Sequence, residues 1–244
     1  MRYKIVFILA FLFTIPSQSQ ILISILLGDK LNSGNLEFGL EGGYNFANVS
    51  GFESNSSLNN FNLGFYFDIR VKENWWFYTG VLVKANLGAD KLSESDLERL
   101  DIITYDEEGT YSQNLRYFIV PALFKYKFQN RIYLEGGPQF GWLSKAWVEF
   151  NSDIGGRDAR IKQYNKSKVN LIDVGGTIGT GYRLTNKISG MTIGVKYYYG
   201  FTNVYKGESG TNNSSLFLKL NIPIGAGKAG KKSNEEKLNT EETN

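Results

Sequence analysis

Carboxylates, amines and hydroxyls are the side chains of this chain that could take part in catalysis, because its 244 residues include neither cysteine nor histidine. That composition excludes a thiolate nucleophile, a disulfide framework, a cysteine zinc site and any Ser-His or Cys-His pair. Acid–base work by paired carboxylates and a serine activated by a lysine remain formally open. No spacing singles out a Ser-Lys pair, and we expect no enzyme activity, no metal and no cofactor.

Charged residues fall on the polar faces of the strands predicted below, where they would share one narrow interior. A structural network of ion pairs that fills this interior is the favoured interpretation, because a buried charge is costly unless it is paired. A proton or ion path and catalysis by paired carboxylates are the alternatives. The acids are Glu37, Glu41, Asp68, Glu135 and Asp173, and the bases are Arg70, Lys84, Arg116, Lys125, Lys127, Lys196 and Lys219.

Strands must position these charges, because apolar residues recur with a period of two. In residues 61–71 every odd-numbered position is apolar, and the even-numbered positions include Asn62, Asp68 and Arg70. A helix would scatter Asp68 and Arg70 among the phenylalanines, whereas a strand separates an apolar from a polar face. The same pattern predicts eight strands, at 36–46, 61–71, 77–87, 114–128, 132–142, 172–182, 191–201 and 216–224.

The connections between these strands alternate in length. Long segments cover 47–60, 88–113, 143–171 and 202–215, and short joins lie near 72–74, 129–131 and 185–187. Short periplasmic turns and long extracellular loops are typical of outer-membrane barrels. The sequence therefore predicts an all-β fold, an eight-stranded antiparallel up-and-down transmembrane β-barrel, with both termini in the periplasm.

Glycine indicates which face of each strand points to lipid. Alternation alone would also fit a soluble periplasmic binding barrel with its apolar residues inside. The polar faces hold Gly39, Gly43, Gly64, Gly80, Gly137, Gly141, Gly175, Gly179, Gly181, Gly194 and Gly200, whereas the apolar faces hold Gly42, Gly136 and Gly176. Because a small barrel has barely room for side chains, this distribution favours polar faces inside and apolar faces towards lipid.

Aromatic residues cluster near both ends of the predicted strands. Trp75, Trp76, Phe77, Phe128 and Tyr182 lie beside short turns, and Tyr44, Phe46, Phe61, Trp142, Tyr199 and Phe201 lie at the opposite ends. Amphipathic rings prefer the membrane interface, which predicts two aromatic girdles. The general preference of aromatic residues for strands is the alternative explanation.

The ends of the chain differ in character from the predicted barrel. Arg2 and Lys4 precede a short apolar run, and Pro16 interrupts it before small residues. This pattern predicts a signal peptide at 1–19, because the run is too short for the roughly 20 residues of a spanning helix; an uncleaved anchor is the alternative. An N-terminal segment at 20–34 precedes the barrel at 35–224. The polar tail at 225–244 is predicted to be disordered and periplasmic, with a periplasmic contact as the alternative.

Two of the long loops carry opposite charge. Residues 90–108 hold eight acids and two bases, whereas residues 145–168 hold six bases and three acids. Attraction between two solvated loops is the favoured interpretation, and a ligand or cation surface is the alternative. Ser93 and Asp96 have the spacing of a helix N-cap and its third residue, which predicts a short helix at 93–100.

The strand segments resemble a known family. Tyr117-Phe118-Ile119-Val120-Pro121-Ala122-Leu123-Phe124-Lys125-Tyr126 is similar to a segment of Bacteroidota-type outer-membrane β-barrel proteins, the porin-family or PorT-like proteins. Glu135-Gly136-Gly137-Pro138, Asp173-Val174-Gly175 and Tyr198-Tyr199-Gly200-Phe201-Thr202-Asn203 look like further family segments in the same order. The chain departs from the pattern at Ile119, where the family usually has glutamate, and at Ile224, which ends the last strand without a terminal aromatic. The resemblance implies the fold and an outer-membrane location.

The functional prediction is an outer-membrane barrel with a plugged lumen that acts as a structural or interaction protein through its extracellular loops. Its partners are expected to be outer-membrane lipid, the barrel-insertion machinery and an extracellular or periplasmic protein. The near balance of 27 basic and 24 acidic residues gives no reason to expect nucleic acid. A PorT-like accessory of a secretion system, a narrow porin and a soluble periplasmic binding barrel are the alternatives.

Overall fold

The computed structural model describes residues 35–54, 56–154, 157–185 and 190–224 of the chain. The predicted signal peptide 1–19, the N-terminal segment 20–34 and the tail 225–244 lie outside these residues.

Within the described residues, nine strands form one antiparallel sheet, and eight of them close into a ring. Around the ring the strands pair in the order β1, β2, β3, β4, β5, β7, β8 and β9, and β9 closes the ring by pairing with β1. This arrangement confirms the predicted barrel. The strands are β1 (Leu36–Val49), β2 (Ser56–Lys72), β3 (Trp75–Asp90), β4 (Thr110–Lys127), β5 (Ile132–Ile154), β6 (Arg157–Tyr164), β7 (Ile172–Arg183), β8 (Thr192–Asn203) and β9 (Asn212–Pro223).

The ninth strand lies in a segment that was predicted to be a loop. In the part of the chain that the structure describes, β6 pairs with residues 147–154 of β5 and with no other strand, so the two strands form a hairpin that extends beyond the ring. β1 to β4 are also longer than predicted at this end, and the connection between β1 and β2 shrinks to residues 50–55. The strands continue beyond the membrane because pairing satisfies the hydrogen bonds of their backbones there too. The sequence did not predict these extensions, because no alternating apolar residues mark them.

The two ends of the barrel differ in their connections. At one end, called the turn end, residues 73–74, 128–131 and 184–191 join the strands. The opposite end, called the loop end, carries the β5–β6 hairpin, the helix α1 (Glu94–Leu100) and a 3-10 turn at Lys166–Lys168. Within the described ranges, neither helical segment has the length and apolar character that crossing a membrane would require.

The apolar faces of the strands point out of the barrel, as predicted. On β2, Phe61 is 50% exposed, whereas the alternating residues Asn62 and Asp68 are each 2% exposed and line the lumen. Phe124 of β4 and Trp142 of β5 are likewise exposed on the outer surface. This orientation contradicts the alternative of a soluble barrel with its apolar stripe inside.

A bulge in β3 reverses the alternation part-way along the strand. The register against β4 shifts between Leu82 and Ala85, and beyond the shift Ala85, Leu87 and Ala89 are buried. The period of two in 77–87 predicts Leu87 on the apolar outer face with Phe77, Val81 and Val83, and the structure shows that this prediction for Leu87 was wrong. Asn45 of β1 donates its side-chain amide to the backbone oxygen of Asn86, which satisfies a backbone acceptor beside the bulge.

The half of the lumen next to the loop end is filled by an apolar core that the sequence did not lead us to expect. Leu115, Leu143 and Phe150 are among its fully buried members, and Leu97 and Leu100 of α1 close it from above. Ser93 and Asp96 form a reciprocal capping box at the start of α1, which confirms the predicted helix. The barrel therefore has a hydrophobic interior at one end and a charged one at the other.

Candidate functional site

The charged half of the lumen contains one connected group of ion pairs. Lys125 lies between Asp68 and Glu135, with its Nζ 3.2 Å and 3.4 Å from their carboxylate oxygens. Lys127 approaches Asp68 at 2.8 Å, and Lys219 approaches Glu135 at 2.5 Å. All five side chains are buried. We call these five residues, together with the neighbouring pair below, the lumen charge cluster.

A second pair completes the cluster from the other side of the barrel. Lys196 of β8 donates to Glu41 of β1 at 2.6 Å, and both side chains are buried. The lysines come from β4, β8 and β9, and the carboxylates from β1, β2 and β5. The cluster thus links six of the eight strands of the ring, because each of these side chains occupies an inward position of its strand.

Aromatic rings surround the lysines of the cluster. The Nζ atoms of Lys125 and Lys219 lie 4.0 Å and 4.4 Å from the centre of the Tyr78 ring. Lys127 lies 3.6 Å from the centre of the Trp76 ring, which is itself in the lumen. Trp76 was predicted to belong to the outer girdle, and its burial corrects that assignment, because it follows the outward Trp75 by one residue. The rings give the lysines cation–π contacts in a site without bulk water.

Glycines make room for these rings on the lumen wall. A Cβ atom at Gly181 would overlap the hydroxyl of Tyr133, and one at Gly39 would overlap the ring of Tyr66. Both tyrosines are almost fully buried. The excess of glycine on the polar faces therefore allows large aromatic side chains to lie against the wall of a narrow barrel.

Two predicted lumen acids lie inside the barrel without a lysine in contact. Glu37 accepts a hydrogen bond from the Tyr66 hydroxyl at 2.7 Å. Asp173 accepts hydrogen bonds from Tyr198 at 2.6 Å and from Thr202 at 3.2 Å. Neither carboxylate forms an ion pair with a residue that the structure describes. Hydroxyl groups, rather than cations, satisfy them.

Three of the predicted lumen bases are not in the lumen. Arg70 is exposed near the turn end and donates to the backbone oxygen of Glu73 at 2.9 Å. Lys84 is exposed on the outer surface because it lies in the bulge of β3. Arg116 alternates with the inward Leu115 and is half-buried on the outer face. The prediction that these three bases belong to an internal network was therefore wrong.

The geometry of the cluster gives it little scope for chemistry. Both oxygens of Glu135 and Oδ2 of Asp68 lie 2.5–3.4 Å from a lysine Nζ. Oδ1 of Asp68 is buried and has no hydrogen-bond partner among the described residues, and the site is enclosed by strands. Beyond it, a cavity of about 20 Å³ borders Asn45, Asn62 and Gln139, a space that holds about one water. Among the described residues, no group of three or more acids could hold a metal ion.

The loops at the loop end form a connected layer over the apolar core. Lys168 donates to Asp101 at 3.1 Å, which joins the base-rich loop to the acid-rich loop. The side-chain amide of Gln163 on β6 exchanges two hydrogen bonds with the backbone of Ile103. Arg99 of α1 pairs with Glu208 at 3.2 Å. We call this layer, formed by residues 50–54, 91–109, 157–170 and 204–211, the loop cap.

A buried tyrosine anchors the loop cap to the barrel. Tyr205 is 2% exposed and its hydroxyl lies 3.2 Å from Oε1 of Gln113, which lines the interior of β4. Burial raises the pKa of the Tyr205 phenol well above its usual value, so the group stays protonated and donates to Gln113. Sequence reasoning missed this contact, because an isolated tyrosine in a predicted loop carries no periodic signal.

Residues 17–206 match a family model described as "Outer membrane protein beta-barrel domain". The chain belongs to this family. As a member of the outer membrane β-barrel family, it is an outer-membrane protein, which agrees with the apolar outer surface of the ring. A search of curated proteins finds no match.

Several solved outer-membrane proteins are similar to this family member. The attachment invasion locus protein Ail of Yersinia pestis is 12% identical, with a TM-score of 0.42 over 78% of this chain and 99% of that chain. Neisserial surface protein A is 12% identical, with a TM-score of 0.39 over 76% and 96% of the two chains. OprG from Pseudomonas aeruginosa is 12% identical, with a TM-score of 0.35 over 79% and 95%.

Proposed function

We propose that this chain is a non-enzymatic, non-conducting outer-membrane barrel that acts as a structural or interaction protein through its loop end. The observation that carries the proposal is the filling of the lumen at two successive levels. The lumen charge cluster occupies the half next to the turn end, and the apolar core and α1 occupy the half next to the loop end. An ion would have to displace both layers.

The filling of each level has a different physical basis. Glu135 holds two lysines at once, so a passing ion would have to break buried ion pairs that are costly to separate. Leu115 and Leu143 have no exposed surface, and an apolar layer offers no ligands to a dehydrated ion. The alternative of a narrow porin is therefore disfavoured.

The lengths of the connections support an orientation in the membrane. Barrels of this class have short periplasmic turns and longer extracellular loops, so the loop cap faces the cell exterior. The cap is held in place by Lys168–Asp101, Arg99–Glu208 and the Gln163 hydrogen bonds. A preordered surface loses little conformational entropy on binding, which supports a role in contacts with an extracellular partner.

Two exposed apolar residues of the cap are available for contacts with a partner. Ile103 is 70% exposed and Tyr164 is 71% exposed, although both lie among charged and polar residues. Isolated apolar side chains on a polar surface are common. The hydrogen bonds and ion pairs that order the cap therefore support an interaction role more strongly than these two residues do.

Planar-bilayer recording tests the proposal. The full chain is folded into detergent, its closed barrel is verified by a mobility shift on heating in a denaturing gel, and the protein is added to planar bilayers. We expect no unitary conductance steps, while a large general porin under the same conditions supplies the positive control. Reproducible steps from a heat-shifting preparation would refute the non-conducting role.

A separate measurement tests the absence of enzyme activity. The carboxylates of the cluster are held by lysines and the chain has no histidine, so we expect no turnover of phospholipid or of a simple carboxylic ester by the folded barrel. Hydrolysis that persists after repurification and is lost on boiling would contradict this part of the proposal.

The narrower resemblance to Bacteroidota-type, PorT-like proteins stays a prediction. The similar segments supply structural positions here: Lys125 and Glu135 belong to the lumen charge cluster, and Asp173 is bound by hydroxyl groups. These positions explain the segments without a secretion role. A deletion strain with unimpaired protein secretion would remove the secretion-accessory alternative.

A further inference from the structure

Three cations lie on the outer face of the neighbouring strands β3, β4 and β5. Lys84 of β3 pairs in register with the outward Leu63, and Arg116 of β4 is directly opposite Lys145 of β5. Lys84 and Lys145 are exposed and Arg116 is half-buried. We call Lys84, Arg116 and Lys145 the basic belt.

The height of Arg116 and Lys145 matches the edge of the membrane. Phe118 and Trp142 are opposite each other on β4 and β5, and they are 45% and 60% exposed on the lipid-facing surface. Arg116 and Lys145 follow them by two and three residues toward the loop end. With a rise of roughly 3.3 Å per residue and a strand tilt of about 40°, the two cations lie about 5–8 Å beyond the aromatic row, at the level of lipid headgroups.

The belt has no acidic partner in the described part of the chain. Among the residues that the structure describes, none of its three side chains forms an ion pair. Glu149, the nearest acid along the outer face of β5, is already paired with Arg160 at 3.4 Å and with Lys162 at 3.2 Å. Like charges directly opposite each other on two strands are destabilising. An anion bound between Arg116 and Lys145 would relieve this repulsion.

Two contacts orient the guanidinium group of Arg116. Its Nε donates to the side-chain oxygen of Asn86 at 3.4 Å, and its Cζ lies 5.4 Å from the centre of the Trp147 ring. Trp147 is in turn fixed by a hydrogen bond from its indole nitrogen to Glu149 at 3.1 Å. Among the described residues, nothing accepts a hydrogen bond from the two terminal nitrogens of Arg116, and this fork matches two oxygens of a phosphate.

We propose that the basic belt binds the phosphate group of a phosphorylated glycolipid in the outer leaflet. Arg116 and Lys145 lie at headgroup height, where membrane lipid reaches them, and the unpaired cations select an anionic headgroup. Arg116 supplies a forked donor, and Lys84 and Lys145 supply point charges on flexible side chains that reach along the membrane surface. The proposal rests on the outer-membrane location and not on the proposed role of the loop cap.

Lipid titration of the full chain tests the proposal. The folded barrel in detergent is titrated with bis-phosphorylated lipid A, with the same lipid after removal of its phosphates, and with inorganic phosphate as a competitor. We expect lipid A to bind at least tenfold more tightly than the dephosphorylated lipid, and millimolar inorganic phosphate to leave this binding unchanged. Equal binding of the two lipids, or displacement by millimolar inorganic phosphate, would overturn the glycolipid assignment.

Paired variants separate the belt from net charge. Arg116→Gln with Lys145→Gln removes two charges from the belt, and Arg70→Gln with Lys72→Gln removes two from the exposed turn end. The first pair should weaken lipid A binding at least tenfold and the second less than twofold. Equal losses would assign the binding to overall charge and overturn the proposal.

Each variant must keep its heat-dependent gel shift, which shows that the barrel has folded. If the first pair fails to fold, the exposed single change Lys145→Gln must by itself weaken lipid A binding at least threefold.

Discussion

Lys219 of β9 and Glu135 of β5 meet inside the barrel, with Nζ 2.5 Å from Oε1 and neither side chain exposed. The two strands are not neighbours in the ring, because β7 and β8 lie between them. The pair therefore fixes the distance between separate parts of the barrel wall, a task that strand pairing alone does not perform.

Removal of the charge on Glu135 should destabilise the barrel strongly. Glu135→Gln leaves Lys125 and Lys219 without the carboxylate that they share, and the loss of one partner from a buried pair costs about 3–5 kcal/mol of unfolding free energy. Urea unfolding in lipid vesicles, followed by tryptophan fluorescence, measures the change. Glu208→Gln, which removes the partially exposed partner of Arg99, should cost less than about 1 kcal/mol. Comparable losses in the two variants would contradict the structural role of the cluster.

Two neighbouring glycines should differ in their tolerance of a methyl group. A Cβ atom at Gly179 would lie 2.9 Å from the Lys196 side chain and 2.8 Å from the Val195 carbonyl oxygen, inside the lumen. At Gly136, on the outer face, the nearest atom would be 3.6 Å away, which is ordinary contact. Gly179→Ala should therefore cost about 1–3 kcal/mol by overpacking, and Gly136→Ala should stay within about 0.5 kcal/mol. The same urea assay measures both changes in unfolding free energy. A larger loss of stability in Gly136→Ala than in Gly179→Ala would mean that the lumen and lipid faces of these strands are reversed.

Tryptophan quenching by brominated lipid should report the same faces independently. Trp142 is 60% exposed on the outer surface, whereas Trp76 is 3% exposed and packs against Lys127 in the lumen. In variants that retain a single tryptophan, with the others changed to phenylalanine, Trp142 emission should be strongly quenched and Trp76 emission nearly unaffected. Strong quenching of Trp76 would place it on the lipid-facing girdle after all.

The lipid-facing side of most strands could be predicted from the sequence, and the partners inside the lumen could not. Between Phe61 and Asp68 of β2 the alternation is unbroken, so the burial of Asn62 and Asp68 follows directly from the period of two. Lys219 and Glu135, however, are 84 residues apart on strands that do not pair. Which lysine meets which carboxylate depends on the stagger and closure of the whole ring, which a local pattern does not contain.

The bulge of β3 accounts for the clearest error about an inward-facing residue. Tyr78 and Leu82 face inward on even numbers, and Ala85 and Leu87 face inward on odd numbers. Lys84 lies where the phase changes and is turned outward. The apolar residues of β3 change from even to odd inward positions, and this change was visible in the sequence. The prediction missed it because it applied one alternation to the whole strand. The outward Lys84 then becomes part of the basic belt.

Asp96 of α1 should control the order of two loops at once. Its carboxylate accepts hydrogen bonds from the backbone amides of Ser93, Glu53 and Ser54 at 3.1–3.3 Å. Asp96→Ala removes all three acceptors, and the loss of about 1–3 kcal/mol of local stability should speed hydrogen exchange at these amides roughly tenfold to hundredfold. Glu94→Ala is the matched control, because it removes the same charge from an exposed position of the same helix turn. Unchanged exchange at Glu53 and Ser54 in Asp96→Ala would show that Asp96 does not hold the β1–β2 loop in the loop cap.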